Sequence, residues 1–294
     1  MTDLPPSIIL EVTSRCNYRC PFCYCVWHEF PHLARPALST AAWKEIVSEC
    51  VERGVSSFLF TGGEALLRSD ILELLAHARR IMPDGRIDIF TNGSRMTEEL
   101  LRRLKRRRIR ISTSLQGLRT YGELTGTRRS YRRTLNMIAR AAELKWPMTV
   151  SITVNRVNLH EVRDMFAAAA LCRPEVIQIG AVMAEGRARS RLDLMLSREE
   201  WEAVKKSIRE LPDCGVSYAF CDEFFCSCRD FPAEWRQRFG AGGKPCSAGK
   251  SFGVIGPNGK FRKCLHTVDE FEWREDKISC ILPAAYRKQE NGKA

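Results

Sequence analysis

The first 180 residues alternate between two hydrophobic patterns. Short apolar runs rich in β-branched and aromatic residues predict strands, whereas apolar residues repeated every three or four positions predict amphipathic helices. Ser39 and Thr97 each stand just before a helical repeat, where an N-cap is expected. The predicted strands are residues 8–12, 57–60, 87–90, 110–115, 148–154 and 176–179.

This alternation predicts an α/β fold, because strands separated by helices pair in parallel. Six strand–helix units are too few for a closed eight-stranded barrel. We therefore expect a partial (βα)6 TIM-like barrel over residues 1–190. In parallel α/β folds the chemistry lies at the carboxyl ends of the strands, so motif residues should follow strands directly.

The pattern changes after residue 190. Ser197 and Glu200 have the spacing of a capping box, which begins one more helix. Beyond Pro212 the chain is rich in cysteine, glycine and aromatic residues, and the turn signal at 257–259 predicts a β-hairpin with a return strand at 260–263. We expect a second, small cysteine-rich α+β domain over residues 191–294.

Composition narrows the function classes. The chain has 44% hydrophobic and 28% charged residues, as is typical of globular proteins, and no run approaches the roughly 18 uncharged apolar residues of a membrane span. Its first ten residues lack the features of a signal peptide, so we expect a cytoplasmic protein with no membrane partner. In a reducing compartment, 13 cysteines favour metal binding or catalysis over disulfides. The net charge of +12 favours acidic partners.

Three of these cysteines follow the first predicted strand. Cys16, Cys20 and Cys23 lie within eight residues and can converge on one metal centre. Thiolates favour zinc, copper(I) or iron–sulfur clusters. Three ligands suit a four-iron cluster with one open iron; the alternative is a structural zinc site completed by Cys25 or His28.

These cysteines, with an aromatic residue before the last one, resemble the motif of the radical S-adenosylmethionine (radical SAM) enzymes. Further matches follow the next three predicted strands in the expected order. They are Thr61-Gly62-Gly63-Glu64, which resembles the family's GGE motif, Thr91-Asn92-Gly93, and the segment 112–117, which resembles an S-L-D-G segment but has Gln116 where an acid is common. The resemblance covers roughly residues 7–190.

The resemblance implies that Cys16, Cys20 and Cys23 hold three irons of a [4Fe–4S] cluster and that S-adenosylmethionine (SAM) chelates the fourth. It implies reductive cleavage of SAM to a 5′-deoxyadenosyl radical, which takes a hydrogen atom from a substrate. The implied SAM-binding residues are Phe22, Tyr24, Gly62, Gly63, Glu64, Asn92, Ser114 and Gln116. No residue is predicted to act as a catalytic acid, base or hydrogen donor.

The predicted hairpin carries a second resemblance. Cys246, Gly259 and Cys264 have the C-x9-15-G-x4-C spacing that opens the SPASM and twitch domains, which bind auxiliary iron–sulfur clusters. Only Cys280 follows, so the resemblance implies a twitch-like domain with one auxiliary [4Fe–4S] cluster. Its ligands would be Cys246, Cys264, Cys280 and, as fourth, Cys228, with Cys221 and Cys226 as competitors; a zinc site on the same cysteines is the alternative.

Among relatives with this arrangement, modification of ribosomally made peptides by crosslinking, thioether formation or epimerisation is the commonest theme. The expected partners are a peptide substrate, a separate peptide-recognition protein and a flavodoxin- or ferredoxin-type reductant. One alternative is a small-molecule dehydrogenase or cofactor-biosynthesis enzyme. Another is a zinc-stabilised nucleic-acid-binding protein that uses the basic run at 102–110, although no aromatic residues interleave that run and a nucleic-acid partner is not expected.

Overall fold

A computed structural model describes residues 4–221, 247–271 and 273 of the chain. The strands are β1 (Ser7–Glu11), β2 (Ser57–Thr61), β3 (Arg86–Thr91), β4 (Arg110–Ser114), β5 (Met148–Val154), β6 (Val176–Ala181), β7 (Ser217–Cys221), β8 (Phe252–Ile255) and β9 (Phe261–Arg262). The α-helices are α1 (Thr40–Glu52), α2 (Ile71–Ile81), α3 (Glu98–Arg106), α4 (Tyr121–Thr125), α5 (Arg132–Glu143), α6 (Val162–Leu171) and α7 (Arg198–Arg209).

Within these residues the strands form one open sheet in the order β7-β6-β5-β4-β3-β2-β1-β8-β9. Every neighbouring pair is parallel except β8 and β9, which are antiparallel. The edge strands β7 and β9 do not pair with each other, so the sheet is a partial barrel, as predicted. The six predicted strands are β1 to β6, whereas β7 was missed by the sequence analysis.

The helices begin where the capping residues predict. The Ser39 and Thr97 side chains accept hydrogen bonds from the third backbone N–H of α1 and α3, and Ser197 forms a complete capping box with Glu200 at the start of α7. Each helix buries one apolar stripe. In α1 that stripe includes Trp43, which is 0% exposed.

The two faces of the sheet differ in polarity because successive side chains along a strand point to opposite faces. Fully buried residues such as Ile8, Ile87 and Ile89 alternate with residues that line a central cavity. The strands contribute polar side chains to this cavity beside apolar ones such as Ile9 and Phe90; the polar ones include Ser57, Thr61, Asp88, Ser112, Thr149, Ser151, Thr153 and Gln178. This concave face carries both apolar surface and hydrogen-bonding groups, so it is suited to hold a ligand.

The predicted β-hairpin extends this sheet. Its turn is closed by a 2.9 Å hydrogen bond from the Gly256 N–H to the Lys260 carbonyl, and β8 pairs with the free edge of β1. Arg262 on β9 donates a fully buried hydrogen bond to the carboxyl group of Glu11 at the end of β1. The predicted boundary at 190/191 stays a prediction, because 222–246, 272 and 274–294 lie outside the described residues.

Among the helices described, none is long and apolar enough to cross a membrane.

Candidate functional site

The loop that carries Cys16, Cys20 and Cys23 leaves the carboxyl end of β1 and is held by the segment after β2. The Gly63 N–H donates to the Thr13 carbonyl at 2.7 Å, and the Glu64 N–H donates to the Arg15 carbonyl at 2.8 Å. A Cβ on Gly62 would lie 2.2 Å from the Thr13 oxygen, and one on Gly63 would lie 2.3 Å from the Arg15 oxygen. Glycine is required here because the cysteine loop packs directly on this turn; contact of either glycine with SAM stays a prediction.

A second turn holds the other end of the loop. The Arg187 N–H donates to the Cys23 carbonyl at 2.9 Å. Gly186 has φ of +54°, and a Cβ there would lie 2.5 Å from the Cys23 oxygen. The sequence analysis missed Gly186, although a glycine shortly after a predicted strand was the same signal that drew attention to Gly62 and Gly63.

The three cysteines differ in exposure. Cys16 is exposed, whereas Cys20 and Cys23 are half-buried. Two N–H groups approach the Cys16 Sγ: the Tyr18 backbone at 3.4 Å and the Asn92 Nδ2 at 3.9 Å. Burial raises the pKa of Cys20 well above its usual value.

Cys25, which the zinc alternative would use, is buried at 3% exposure. Its thiol donates to the Gly62 carbonyl at 3.8 Å. The neighbouring Cys23 thiol and burial together raise the pKa of Cys25 well above its usual value. Within the part of the chain that the structure describes, no three His, Cys, Asp or Glu side chains form a group that could hold a single metal ion.

Glu64 ties the ends of β2 and β3 together. Its carboxylate accepts hydrogen bonds from the Leu66 N–H at 3.0 Å, the Thr91 hydroxyl at 2.7 Å and the Asn92 N–H at 2.6 Å. Burial raises the pKa of this carboxyl, and the three hydrogen bonds oppose that rise. The Asn92 side chain donates to Asn17 Oδ1 at 3.0 Å, so the hydrogen bonds that begin at Glu64 continue to the cysteine loop. The predicted contact of Glu64 with the SAM ammonium group is untested.

The cysteine loop forms one wall of the central cavity, whose volume is about 640 Å³. Gln116, at the end of the β4 segment, is 8% exposed, and its Oε1 has no hydrogen-bond partner among the described residues. Ser114 is half-buried on the same segment. Of the predicted site residues, those in the cavity wall are Cys20, Phe22, Cys23, Tyr24 and Gln116; Cys16, Gly62, Gly63, Glu64 and Asn92 lie in the adjoining loops.

The hairpin contributes another part of the wall. Leu265 and His266 line the cavity, and the His266 ring meets the Tyr24 ring edge-on with centroids 5.6 Å apart. Arg262 holds this turn by donating to the Leu265 carbonyl at 3.3 Å and the Thr267 carbonyl at 2.9 Å. The sequence analysis gave His266 no part in the cavity.

Cys264, the half-buried candidate ligand of an auxiliary cluster, immediately precedes the cavity-lining part of this turn. Its carbonyl accepts hydrogen bonds from the Thr267 N–H and hydroxyl. Cys221 ends β7 on the opposite edge of the sheet. The other candidates, Cys226, Cys228, Cys246 and Cys280, lie outside the described residues.

An open parallel barrel with three cysteines after its first strand defines a class of iron–sulfur enzymes, and the comparison with known families agrees. The family described as "Radical SAM superfamily" matches residues 10–169. The chain belongs to this superfamily. Membership implies a [4Fe–4S] cluster and SAM as the cofactors.

Individual relatives are more specific. Over 251 residues the chain is 30% identical to the PqqA peptide cyclase of Xanthomonas oryzae pv. oryzae, which covers 81% of this chain and 66% of that protein. The fold is similar to that of Streptococcus suis SuiB bound to S-adenosylmethionine, with a TM-score of 0.65, 18% identity, and 89% and 60% of the two chains covered. SuiB bound to its precursor peptide SuiA gives a TM-score of 0.70 and 17% identity, with 100% and 68% covered.

The residues present fit the implied cofactors. Three thiols on one loop, two of them in the cavity wall, are the soft donors that iron–sulfur clusters use. The N–H groups directed at Cys16 Sγ match a thiolate better than a thiol, because a thiolate is the stronger acceptor. The unpartnered Gln116 Oε1 offers a hydrogen-bond acceptor to a ligand in the cavity.

Proposed function

We propose that this chain is a radical SAM enzyme that modifies a ribosomally synthesised peptide by crosslinking, thioether formation or epimerisation. The observation that carries the proposal is the 640 Å³ cavity whose wall contains Cys20 and Cys23. The names of the relatives support a peptide substrate: one is a cyclase of the peptide PqqA, and SuiB binds the precursor peptide SuiA. The chain spans about two thirds of the PqqA peptide cyclase, so this activity is inferred for the present chain.

Cys16, Cys20 and Cys23 would hold the cluster, and SAM would lie between the cysteine loop and Gln116. When bound, these cofactors supply a 5′-deoxyadenosyl radical that takes a hydrogen atom from the substrate. Phe22 and Tyr24 enclose the cofactor side of the cavity and keep water from it. The serine and threonine hydroxyls of β2, β4 and β5 can bond the backbone of an extended peptide.

The auxiliary cluster belongs to the same proposal. Cys264 would bind it with Cys228, Cys246 and Cys280, in a C-terminal domain beginning near residue 191. The position of the 265–266 turn in the cavity wall supports this assignment, since a cluster on Cys264 would lie next to the substrate space. A separate peptide-recognition protein and a flavodoxin- or ferredoxin-type reductant complete the proposed system.

The first test is reconstitution of the purified chain with iron and sulfide under anaerobic conditions, followed by reduction with dithionite in the presence of SAM. We expect methionine and 5′-deoxyadenosine from the wild type and from Cys172→Ser, and neither product from a Cys16→Ala/Cys20→Ala/Cys23→Ala variant. Cys172 is the matched control because its thiol bonds a backbone carbonyl of α6, Ala168, away from the loop. A wild-type protein that binds iron but never cleaves SAM would contradict the proposal.

The second test addresses the substrate. Each short peptide found to be encoded beside the gene is synthesised with deuterium at each candidate carbon and incubated with the reconstituted enzyme. A peptide substrate predicts transfer of deuterium into 5′-deoxyadenosine and a mass change in the peptide. If SAM is cleaved and the label stays in every peptide, the peptide assignment is wrong, and small-molecule alcohols become the substrates to test.

A further inference from the structure

The basic run at 102–110, which is prominent in the sequence, is largely neutralised by acidic neighbours. Arg102 pairs with Glu98 at 2.5 Å, and Arg106 lies 3.4 Å from Glu99. Others in the run also face carboxylates: Arg108 faces Asp84, and Arg110 faces Asp88 and Glu175. This helix face is therefore a poor site for an anionic partner.

A different set of arginines has no such partners. The segments 13–28, 92–96 and 126–133 contain seven arginines and no acidic residue. All seven are exposed, and within the part of the chain that the structure describes none has a carboxylate within 4 Å. We call this set the arginine rim; it consists of Arg15, Arg19, Arg95, Arg128, Arg129, Arg132 and Arg133.

Hydrogen bonds bring these three segments together around the exposed Cys16. Asn17 Nδ2 donates to Ser94 Oγ at 2.8 Å, which places the 92–96 turn beside the cysteine loop. On the other side, the Arg19 N–H donates to the Thr125 carbonyl at 2.9 Å, at the start of the 126–133 segment. These contacts place all three arginine-bearing segments next to the cysteine loop.

The first turn of α5 is attached through a chain of hydroxyl contacts. The Tyr18 and Tyr121 hydroxyls lie 3.2 Å apart, and the Tyr121 hydroxyl lies 3.3 Å from Thr134 Oγ1 on α5. Arg132 and Arg133 lie in the same turn of α5 as Thr134, and both are exposed. These contacts are buried, which fixes the rim to the loop.

The arginine rim is separate from the substrate cavity. Of the arginines in the described residues, the cavity lining contains Arg86, which pairs with Asp88 at 2.7 Å, and none of the seven. A peptide that reacts inside the cavity is therefore not what the rim is placed to bind. The rim instead lies on the segments that border the cysteine loop, in which Cys16 is the most exposed of the three cysteines.

We propose that the arginine rim docks a small acidic redox protein, which delivers one electron to the cluster through the Cys16 side of the loop. The inference rests on the proposed function, since it presupposes a cluster on these cysteines. In the step itself the carrier loses one electron, the cluster gains one, and no bond or proton is exchanged. Clustered charge of one sign steers an oppositely charged partner and raises its association rate.

The test uses the full reconstituted chain and flavodoxin reduced in advance, with the visible absorbance of the cluster followed in stopped flow. The variant is Arg128→Glu/Arg129→Glu. Its matched control is Arg163→Glu/Arg198→Glu, because these two arginines are exposed on α6 and α7 and the net charge changes equally. Dithionite-driven reduction and SAM cleavage are measured on the same samples.

At about 0.05 M salt we expect the rim variant to be reduced by flavodoxin about tenfold more slowly than wild type, while the control keeps the wild-type rate. The difference should disappear near 1 M salt, where the Debye length is about 3 Å. Reduction by dithionite should be equal in all three proteins. Equal flavodoxin rates for variant and control at low salt would overturn the proposal.

Three further outcomes are informative. If the double variant fails to fold or to load iron, Arg95→Glu in the separate 92–96 turn takes its place, and the salt dependence of the wild-type reduction rate is measured as well. A wild-type rate of reduction by flavodoxin that does not depend on salt overturns the proposal. If the rim variant instead loses affinity for a precursor peptide at an unchanged flavodoxin rate, the rim serves the peptide and the proposal is again overturned. Failure of wild-type SAM cleavage with dithionite would count against the proposed function alone.

Discussion

Alanine at position 63 should disrupt the cysteine loop without disturbing the rest of the barrel. The new Cβ would lie 2.3 Å from the Arg15 carbonyl oxygen, 2.6 Å from its carbon and 2.8 Å from the Ser14 oxygen. All three are backbone atoms, so no side-chain rotation relieves the overlap. The loop must move outward by about 1 Å to restore van der Waals contact, since dispersion is optimal near 3.5–4.0 Å.

That movement weakens the two hydrogen bonds that attach the loop, from the Gly63 and Glu64 N–H groups. Each contributes about 1 kcal/mol to stability, and overpacking adds about 1–3 kcal/mol. We therefore expect Gly63→Ala to lower the free energy of unfolding by roughly 2–5 kcal/mol. At about 2–4 °C per kcal/mol for a domain of this size, Tm should fall by on the order of 10 °C.

The assay combines thermal unfolding of the iron-free chain with iron and sulfide content after anaerobic reconstitution. The control is Gly54→Ala, because Gly54 has φ of +88° but nothing within 4 Å of an added Cβ. The control introduces backbone strain of about 1–2 kcal/mol and should still load iron fully, whereas Gly63→Ala should load far less. If Gly63→Ala matches the control in both Tm and iron content, the contact between the glycine turn and the cysteine loop does not support cluster binding.

Three other predictions have clear expected outcomes. Cys25→Ser should keep the wild-type iron content while Cys23→Ser loses it, because Cys25 bonds the Gly62 carbonyl; loss in both would make Cys25 a ligand. Gln116→Leu should keep or gain up to about 1 kcal/mol of stability by removing an unpartnered Oε1 and should weaken SAM binding in equilibrium dialysis; unchanged SAM affinity would remove Gln116 from the site. Burial raises the pKa of Glu11 from 4.5 to about 7 against the opposing effect of Arg262, so the folded chain retains a proton that the unfolded chain has lost. The free energy of unfolding should therefore fall by up to about 3 kcal/mol as the pH rises from about 4.5 to about 7. In urea titrations Glu11→Gln should flatten this dependence, and an equal slope in both proteins would contradict the assignment.

The sequence predicted the first six strands because each is a short apolar or alternating run followed by a helical repeat, and β5 matches residue for residue at Met148–Val154. It missed β7, Ser217–Cys221, whose first three residues are exposed, since an edge strand lacks the apolar run that marks a buried one. The sequence also gave no sign that β8 pairs with β1. Periodicity reports local structure and carries no information about which distant edge a strand joins.

In the candidate site, too, local features could be predicted from the sequence and long-range contacts could not. Cys16, Cys20 and Cys23 are recognisable because their chemistry is local in sequence, and the Gly62–Glu64 turn is recognisable from its position after a strand. Gly186 and His266 join the site from segments more than 160 residues away, and the arginine rim is assembled from three separate segments. These features depend on tertiary contacts, so only the structure reveals them.

The central claim is that three cysteines hold a four-iron cluster whose remaining iron binds SAM. Electron–nuclear double resonance on the reduced protein tests it directly, with SAM labelled with ¹⁵N at the amino group and ¹⁷O at the carboxylate. The account predicts hyperfine coupling of both labels to the cluster, lost in the Cys16→Ala/Cys20→Ala/Cys23→Ala variant. A wild-type cluster signal that shows coupling to neither label would contradict it.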